Sequence, residues 1–352
     1  MSDPDPLVNP DAFADVPREA WTAPAARRGE QDFENALRPR RLEEFVGQTR
    51  VVENLSVALA AARARGEALD HVLLSGGPGL GKTSLARILG AALEVQVHAT
   101  SGPALDRPRD LVGILTQLRE RDVLFIDECH RIPAPVEEYL YTAMEDFTVD
   151  FTLDQGPNAR ILPLKLAHFT LVGATTREGL LSAPFRGRFG LLERLTPYPD
   201  EDLMAILARS AAILGVPLLP AAAAEIARRS RGTPRLANRF LRRVRDLAQV
   251  RGLPSIDAPL AEETLERLGI DGFGLEDRDR EILRCLLRAE GQPVGLKTIA
   301  AAVGESEDTI EEVFEPHLLR SGLLQKTGRG RTITRAGRRA LEGAGAGRDL
   351  FG

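Results

Sequence analysis

HVLLSGGPGLGKTSLARIL, His71 to Leu89, decides the fold. Four apolar or small residues of strand character run into a glycine-rich loop, and the loop runs into a helix with apolar residues at helical spacing. The loop fits the pattern Gly-x-x-x-x-Gly-Lys-Ser/Thr from Gly76 to Thr83, in the strand-loop-helix setting that pattern requires. Gly76, Gly79 and Gly81 let backbone N–H groups wrap a triphosphate around Leu80, Lys82 reaches the outer phosphates, and the Thr83 hydroxyl is a ligand for magnesium. A helix N-terminus behind the loop adds positive potential.

Working outward, DVLFIDECH (Asp122 to His130) and FTLVGATTR (Phe169 to Arg177) are two more buried strands, separated by amphipathic helices over Ser84–Leu93 and Pro135–Phe147. That alternation predicts an α/β domain, a parallel sheet with helices on both faces. Asp127 and Glu128 fall at a strand C-terminus, where open α/β sheets bind ligands. Asp127 is expected to hold magnesium and Glu128 to polarise the attacking water. Thr176 either contacts the γ-phosphate or the water, or satisfies loop backbone groups. In SAPFRGRFG (Ser182 to Gly190) the arginines Arg186 and Arg188 sit at the domain edge; Arg188 is a finger acting on a neighbouring subunit or a surface salt bridge. Arg235, at a helix start after Thr233 and Pro234, either reaches the nucleotide or satisfies a neighbouring helix end.

With 352 residues, several domains are expected. Residues 1–36, rich in Pro, Ala and Asp, read as a disordered arm. Residues 37–199 are the large ATPase domain, 200–272 an all-helical lid, 273–341 a C-terminal winged helix, and 342–352 a flexible tail. The net charge of −5, from 46 basic and 51 acidic residues, predicts no nucleic-acid partner by itself. Cys129 and Cys285 fit neither a disulfide framework nor a metal site, and no apolar run approaches the ~18 residues of a membrane span, so a cytoplasmic protein is expected.

RPRRLEEFVGQ, GGPGLGKTS, TSGPAL, DVLFIDECH, VEEYLYTAMEDF, GATTR, APFRGRFG and GTPRLANRFLRRVRD, with the final winged helix, resemble in order and spacing the RuvB family of bacterial Holliday-junction branch-migration ATPases. The P-loop motifs alone specify only the AAA+ superfamily. The resemblance runs from about Ala36 to Ala340 and implies a hexameric ring that uses ATP and magnesium to drive duplex DNA. It also implies RuvA as partner, docked on the hairpin of about residues 149–168, with a junction-resolving nuclease as a further candidate. That segment is otherwise a plain edge hairpin. Carried over by position, Leu37, Arg38, Ser84, Glu145, Asp146, Phe147 and Tyr198 belong to the nucleotide site, Arg188 to the finger in trans, and Arg235 to the lid sensor. Two departures, Cys129 in DECH and GGPG at the loop, remove no ligating group, although the Cys129 thiol suggests sensitivity to oxidation.

KTGRGRTITRAGRR, Lys326 to Arg339, holds six basic residues and no acidic one. The helix before it, SEDTIEEVFEPH, carries Glu307, Asp308, Glu311, Glu312 and Glu315 and would repel phosphates in a major groove. The wing is therefore expected to hold DNA through Lys326, Arg329 and Arg331, the first and last also matching DNA-contacting positions of the family, with Arg335 nearby. A solvated basic turn is the plain alternative. Among other functions, a sliding-clamp loader subunit shares the ATP motifs but not the winged helix, and an ATP-gated DNA-binding regulator has no use for a water-activating Glu128.

Overall fold

In the computed structural model, which describes residues 33–152 and 161–345, the chain divides into two units, Met1–Arg38 and Pro39–Gly352. The described part of the first is a short helix over residues 33–37, with Arg38 3.6 Å from Glu34. Residues 33–36 are thus helical where the composition predicts a disordered arm. Residues 1–32 lie outside the described residues.

The second unit begins with α1 (Thr49–Arg65), β1 (Val72–Ser75), α2 (Lys82–Leu93), β2 (Val97–Ser101), α3 (Pro108–Leu115), β3 (Val123–Asp127) and α4 (Ala134–Glu145). An antiparallel pair follows, β4 (Thr148–Thr152) with β5 (Ile161–Lys165), then β6 (Thr170–Thr175), α5 (Ala183–Arg186) and β7 (Leu191–Arg194). Five strands form one parallel sheet in the order β2-β3-β6-β1-β7. Side chains of its central strands alternate between faces, as a strand's two-residue period demands. Val72, Leu74, Val123, Phe125, Val172 and Ala174 enter one core, whereas Leu73, Leu124, Ile126 and Leu171 enter the other.

The three apolar runs are the central strands β1, β3 and β6. The edge strands β2 and β7 escaped the sequence reading because neither is an apolar run: β2 carries His98, Thr100 and Ser101, and β7 carries Glu193 and Arg194. In-register pairing of Ser75 with Thr175, and parallel pairing of β3 with β6, brings the C-terminal ends of three strands side by side. That edge carries the P-loop, Asp127 and Thr176.

Four helices make the lid: α6 (Asp200–Ile213), α7 (Pro220–Arg229), α8 (Pro234–Val250) and α9 (Ala258–Arg267). The last, α9, is capped by Asp257, whose side chain accepts from the Leu260 N–H at 3.0 Å. Leu203, Phe240 and Val244 of the lid join the same core as Leu74 and Leu85.

The head has α10 (Asp277–Arg288), α11 (Leu296–Val303) and an acidic helix in three pieces, Glu307–Thr309, a π-helical turn Ile310–Phe314, and Glu315–Arg320. The wing follows as β8 (Leu324–Thr327) and β9 (Gly330–Ile333), antiparallel, and then a helix Arg335–Gly345 that crosses the expected 341/342 boundary. Lid and head are joined by buried charge. Arg231, with φ 54°, donates to the Gly274 carbonyl at 2.8 Å and to Asp279 at 2.5 Å, and Asp279 has no exposed surface. Arg320 donates to the Arg231 carbonyl at 2.9 Å.

Candidate functional site

Gly76, Gly79 and Gly81 take φ of 141°, 75° and 110°, the left-handed side of the map that side chains avoid. At Gly79 space forbids a side chain as well, since a Cβ there would lie 2.8 Å from Thr233 and 2.9 Å from Arg235 of the lid. The loop between Ser75 and α2 is thereby a backbone cradle pressed against the lid. Lys82 is buried and spans it, its ammonium donating to the carbonyls of Gly76 at 2.7 Å and Gly77 at 2.9 Å. Burial holds the Lys82 pKa below the usual lysine range, opposed by the negative charge of Glu128 and Asp127. Thr83 and Ser84 follow at the first turn of α2, and Leu80 is buried within the loop.

Asp127 ends β3. Burial raises its carboxyl, and the Glu128 N–H, donating to Asp127 Oδ1 at 3.0 Å, works against that rise. Glu128 has φ 48°, a left-handed conformation that costs a non-glycine residue about 1 kcal/mol or more. The turn is fixed from outside by Gly102 of TSGPAL, where any Cβ would collide with the Glu128 carbonyl. The Glu128 carboxylate accepts from the Thr176 hydroxyl at 3.0 Å and lies 3.3 Å from His130 Nδ1. His130 also meets the Thr175 hydroxyl at 2.9 Å. Burial lowers its pKa, which Glu128 opposes. Thr176 thus touches the Glu128 carboxylate, a partner the sequence reading left unnamed, and His130 was missed altogether.

From the lid side, Arg235 lies against Gly79 and its charge lowers the Asp127 pKa. Tyr198 is buried, donating to the Leu80 carbonyl at 3.1 Å, and burial raises its pKa. Two residues unnoticed in the sequence complete this wall. The Phe45 ring would be 2.9 Å from a Cβ at Gly81, and the Gln48 amide exchanges two hydrogen bonds with Thr196, at 2.6 and 3.1 Å. Leu37 and Arg38 belong to the other unit, described above by itself.

Glu145, Asp146 and Phe147 do not adjoin the P-loop of their own chain. Phe147 stacks on His168 at 4.1 Å, and the Met144 carbonyl meets His71 just before β1. This is the N-terminal end of the sheet, about 13 Å along β1 from the loop. Glu145 instead binds Arg188 at 3.1 Å, while the Arg188 guanidinium also donates to Pro184 O at 2.7 Å and lies 4.3 Å from the centre of the Tyr141 ring. Arg186 is exposed. Cys129 is buried and its thiol is pushed up to about 12, so the expectation of easy oxidation fails for want of thiolate.

In the head, Lys326 and Arg329 are exposed, but Arg331 is turned inward. It makes a two-pronged ion pair with buried Glu315, at 3.1 and 2.9 Å, and reaches Glu311 at 3.0 Å. Lys326 lies 3.2 Å from Glu311. The acidic helix therefore serves as counter-charge for the wing, and direct phosphate contact by Arg331 is not available in this arrangement. The proposed partner hairpin is present as β4 and β5, and its tip, residues 153–160, lies outside the described residues.

A P-loop on a five-stranded parallel sheet, acidic residues at the neighbouring strand end, an arginine-bearing lid and a winged helix define an AAA+ ATP-binding enzyme with a winged-helix head. The match to known families is narrower. Residues 37–195 match the Holliday junction DNA helicase RuvB P-loop domain, 198–271 the RuvB AAA lid domain and 272–342 the RuvB C-terminal winged helix domain, and the chain belongs to the RuvB family. It is 58% identical over 303 residues to the Holliday junction branch migration complex subunit RuvB of Myxococcus xanthus, covering 86% of this chain and 88% of that one. The Rubrobacter xylanophilus subunit is 54% identical over 323 residues, 92% and 90% of the two chains. Among solved structures, the Thermotoga maritima RuvB Holliday junction branch migration motor superposes with a TM-score of 0.80 at 47% identity, over 87% of this chain and 98% of that one. No helix among the described residues is long and apolar enough to cross a membrane.

Proposed function

We propose that this RuvB-family ATPase works as a ring of six that moves duplex DNA and drives branch migration of Holliday junctions in recombination and repair, with RuvA docked on the β4–β5 hairpin. The observation that carries the reading is one chain in which Glu128, held by Thr176 beside a P-loop, is joined to a lid and a basic wing. Lys82 holds the outer phosphates once they displace it from the Gly76 and Gly77 carbonyls. Thr83 and Asp127 are hard oxygen donors suited to magnesium shared with phosphates, and the ion would neutralise charge developing on them. Glu128 orients and polarises the attacking water, and Thr176 sets its position. Arg235 reads the nucleotide from the lid, with Tyr198 and the Leu37–Arg38 segment assigned to the base side.

Arg188 and the Glu145–Phe147 turn share a domain edge, so we assign them to a neighbouring subunit's nucleotide. Lys326 and Arg329 neutralise DNA phosphates, which suits a motor indifferent to sequence; Arg331 acts by bracing the wing. Cys129 and Cys285 are free thiols, which fits a reducing cytoplasm.

The test is separation of a labelled synthetic four-way junction by the protein with cognate RuvA, ATP and magnesium, against Glu128→Gln. ATP-dependent separation that the variant lacks supports the reading. A wild type that binds DNA and hydrolyses ATP without moving the junction overturns it.

A further inference from the structure

Four of the five carboxylates of the acidic helix form two pairs spaced four residues apart, Asp308 with Glu312 and Glu311 with Glu315. Such pairs share a helical face. One pair, Glu311 and Glu315, holds the wing through Lys326 and Arg331. The other holds a residue from outside the head. Arg177 lies 3.0 Å from Asp308 and makes a second ion pair, through Nε, with Glu312. The π-helical turn Ile310–Phe314 carries the central two of these acids, and such turns concentrate at functional positions.

Arg177 directly follows Thr176, the residue that holds Glu128. Its backbone N–H donates to the Thr175 hydroxyl at 3.0 Å, and that hydroxyl meets His130, which lies 3.3 Å from Glu128. Polar contacts therefore run from Glu128 through Thr176 and Arg177 to Asp308 and Glu312, and from the neighbouring Glu311 and Glu315 to the wing. Exposed ion pairs add little stability, and neighbouring carboxylates on a helix repel one another. Stability alone is a poor account of five acids in one helix, four of which grip cations from the wing and from outside the head.

We infer that Arg177 is a positioning residue, and that it and the acidic helix couple the wing's hold on DNA to the setting of Glu128. A DNA phosphate that draws Lys326 off Glu311 leaves the helix more negative. Arg177, the cation on the neighbouring pair of acids, is then held harder, and the loop that carries Thr176 shifts with it. By linkage, nucleotide at the site changes the wing's affinity by the same factor as DNA changes the nucleotide's.

This inference rests on the roles proposed above for Glu128 and the wing. Its test uses the full chain as wild type, Arg177→Gln, and Asp308→Asn combined with Glu312→Gln. Affinity for a fluorescent duplex is measured with a non-hydrolysable ATP analogue and with ADP, and ATP hydrolysis with and without duplex. In the wild type the two affinities should differ by about fivefold or more. Both variants should bring that ratio close to one and lose the effect of duplex on hydrolysis, while hydrolysis without DNA and the melting temperature stay at wild-type values. The exchange Arg177→Glu with Glu312→Arg should recover part of the ratio. Variants that keep the wild-type ratio overturn the inference. A wild type that binds duplex and hydrolyses ATP with no link between them overturns it alone, whereas a wild type that does neither brings down the function reading as well.

Discussion

Replacing Arg331 with alanine removes the cation from a pair whose carboxylate, Glu315, is only 3% exposed. Breaking a buried ion pair from one side costs about 3–5 kcal/mol, and here the low end applies, because the remaining carboxylate has little water but keeps Lys326 at 3.7 Å. The head is small, matched over residues 272–342. In a unit of that size each kcal/mol moves the melting point by about 4–8 °C, so a drop of ten degrees or more is expected for its transition. Lys326→Ala breaks a pair that is half exposed and should cost less than about 1 kcal/mol. Adding Glu315→Gln to Arg331→Met should recover most of the loss, with an interaction energy of about 2 kcal/mol or more. Urea unfolding and calorimetry measure all of these. DNA titrations across a salt series separate bracing from contact, since Lys326→Ala and Arg329→Ala should each reduce the salt slope by about 1. An Arg331→Ala protein as stable as wild type, with a salt slope reduced like that of Lys326→Ala, would refute the inward pairing.

Thr176→Val removes the hydroxyl that holds Glu128 and should lower kcat for ATP hydrolysis at least about tenfold with little change in KM; steady-state kinetics with an unchanged kcat would reject that role. Cys129, buried with its thiol pushed up to about 12, should resist a thiol reagent at pH 8 in the folded protein and react once urea is added, while half-buried Cys285 reacts earlier. His317 is buried beside Arg231 and Arg320, and burial first, then those charges, lowers its pKa to about 4. Its unfolded state therefore binds the proton first, so stability holds above pH ~6.5 and falls between there and pH ~4, by an order of ~3 kcal/mol. His317→Asn should flatten that part of the stability curve; an equally steep acid loss in the variant would place its cause elsewhere.

What the sequence made legible was local. The P-loop is contiguous from Gly76 to Thr83, and the central strands are apolar on both faces because both faces are covered, so both can be read from one stretch of residues. Edge strands β2 and β7 are short and mix polar with apolar residues, with Glu193 buried and Leu192 exposed in β7, so neither shows an apolar run. Pairings between segments far apart in the chain left no mark at all. Arg177 and Asp308 are 131 positions apart, and Arg188 and Glu145 are 43 apart. Arg331 is a different case, because a signal was present. It shares a strand face with Ile333, which is buried, so the two-residue period of β9 already pointed it inward. Counting charge along the wing hid that geometry.

The Arg231–Asp279 contact bears on how these chains can be taken apart and recombined. A chain cut after the lid keeps Arg231 and loses both Asp279 and the Gly274 carbonyl, so the severed lid presents a guanidinium built for an enclosure it no longer has. A head grafted from another protein is accepted only if it brings an acid to the same spot. Lid and head are thus exchanged as one cassette, and a hybrid drawn with its seam between them should be the poorest folder in a set of chimaeras whose seams are moved along the chain.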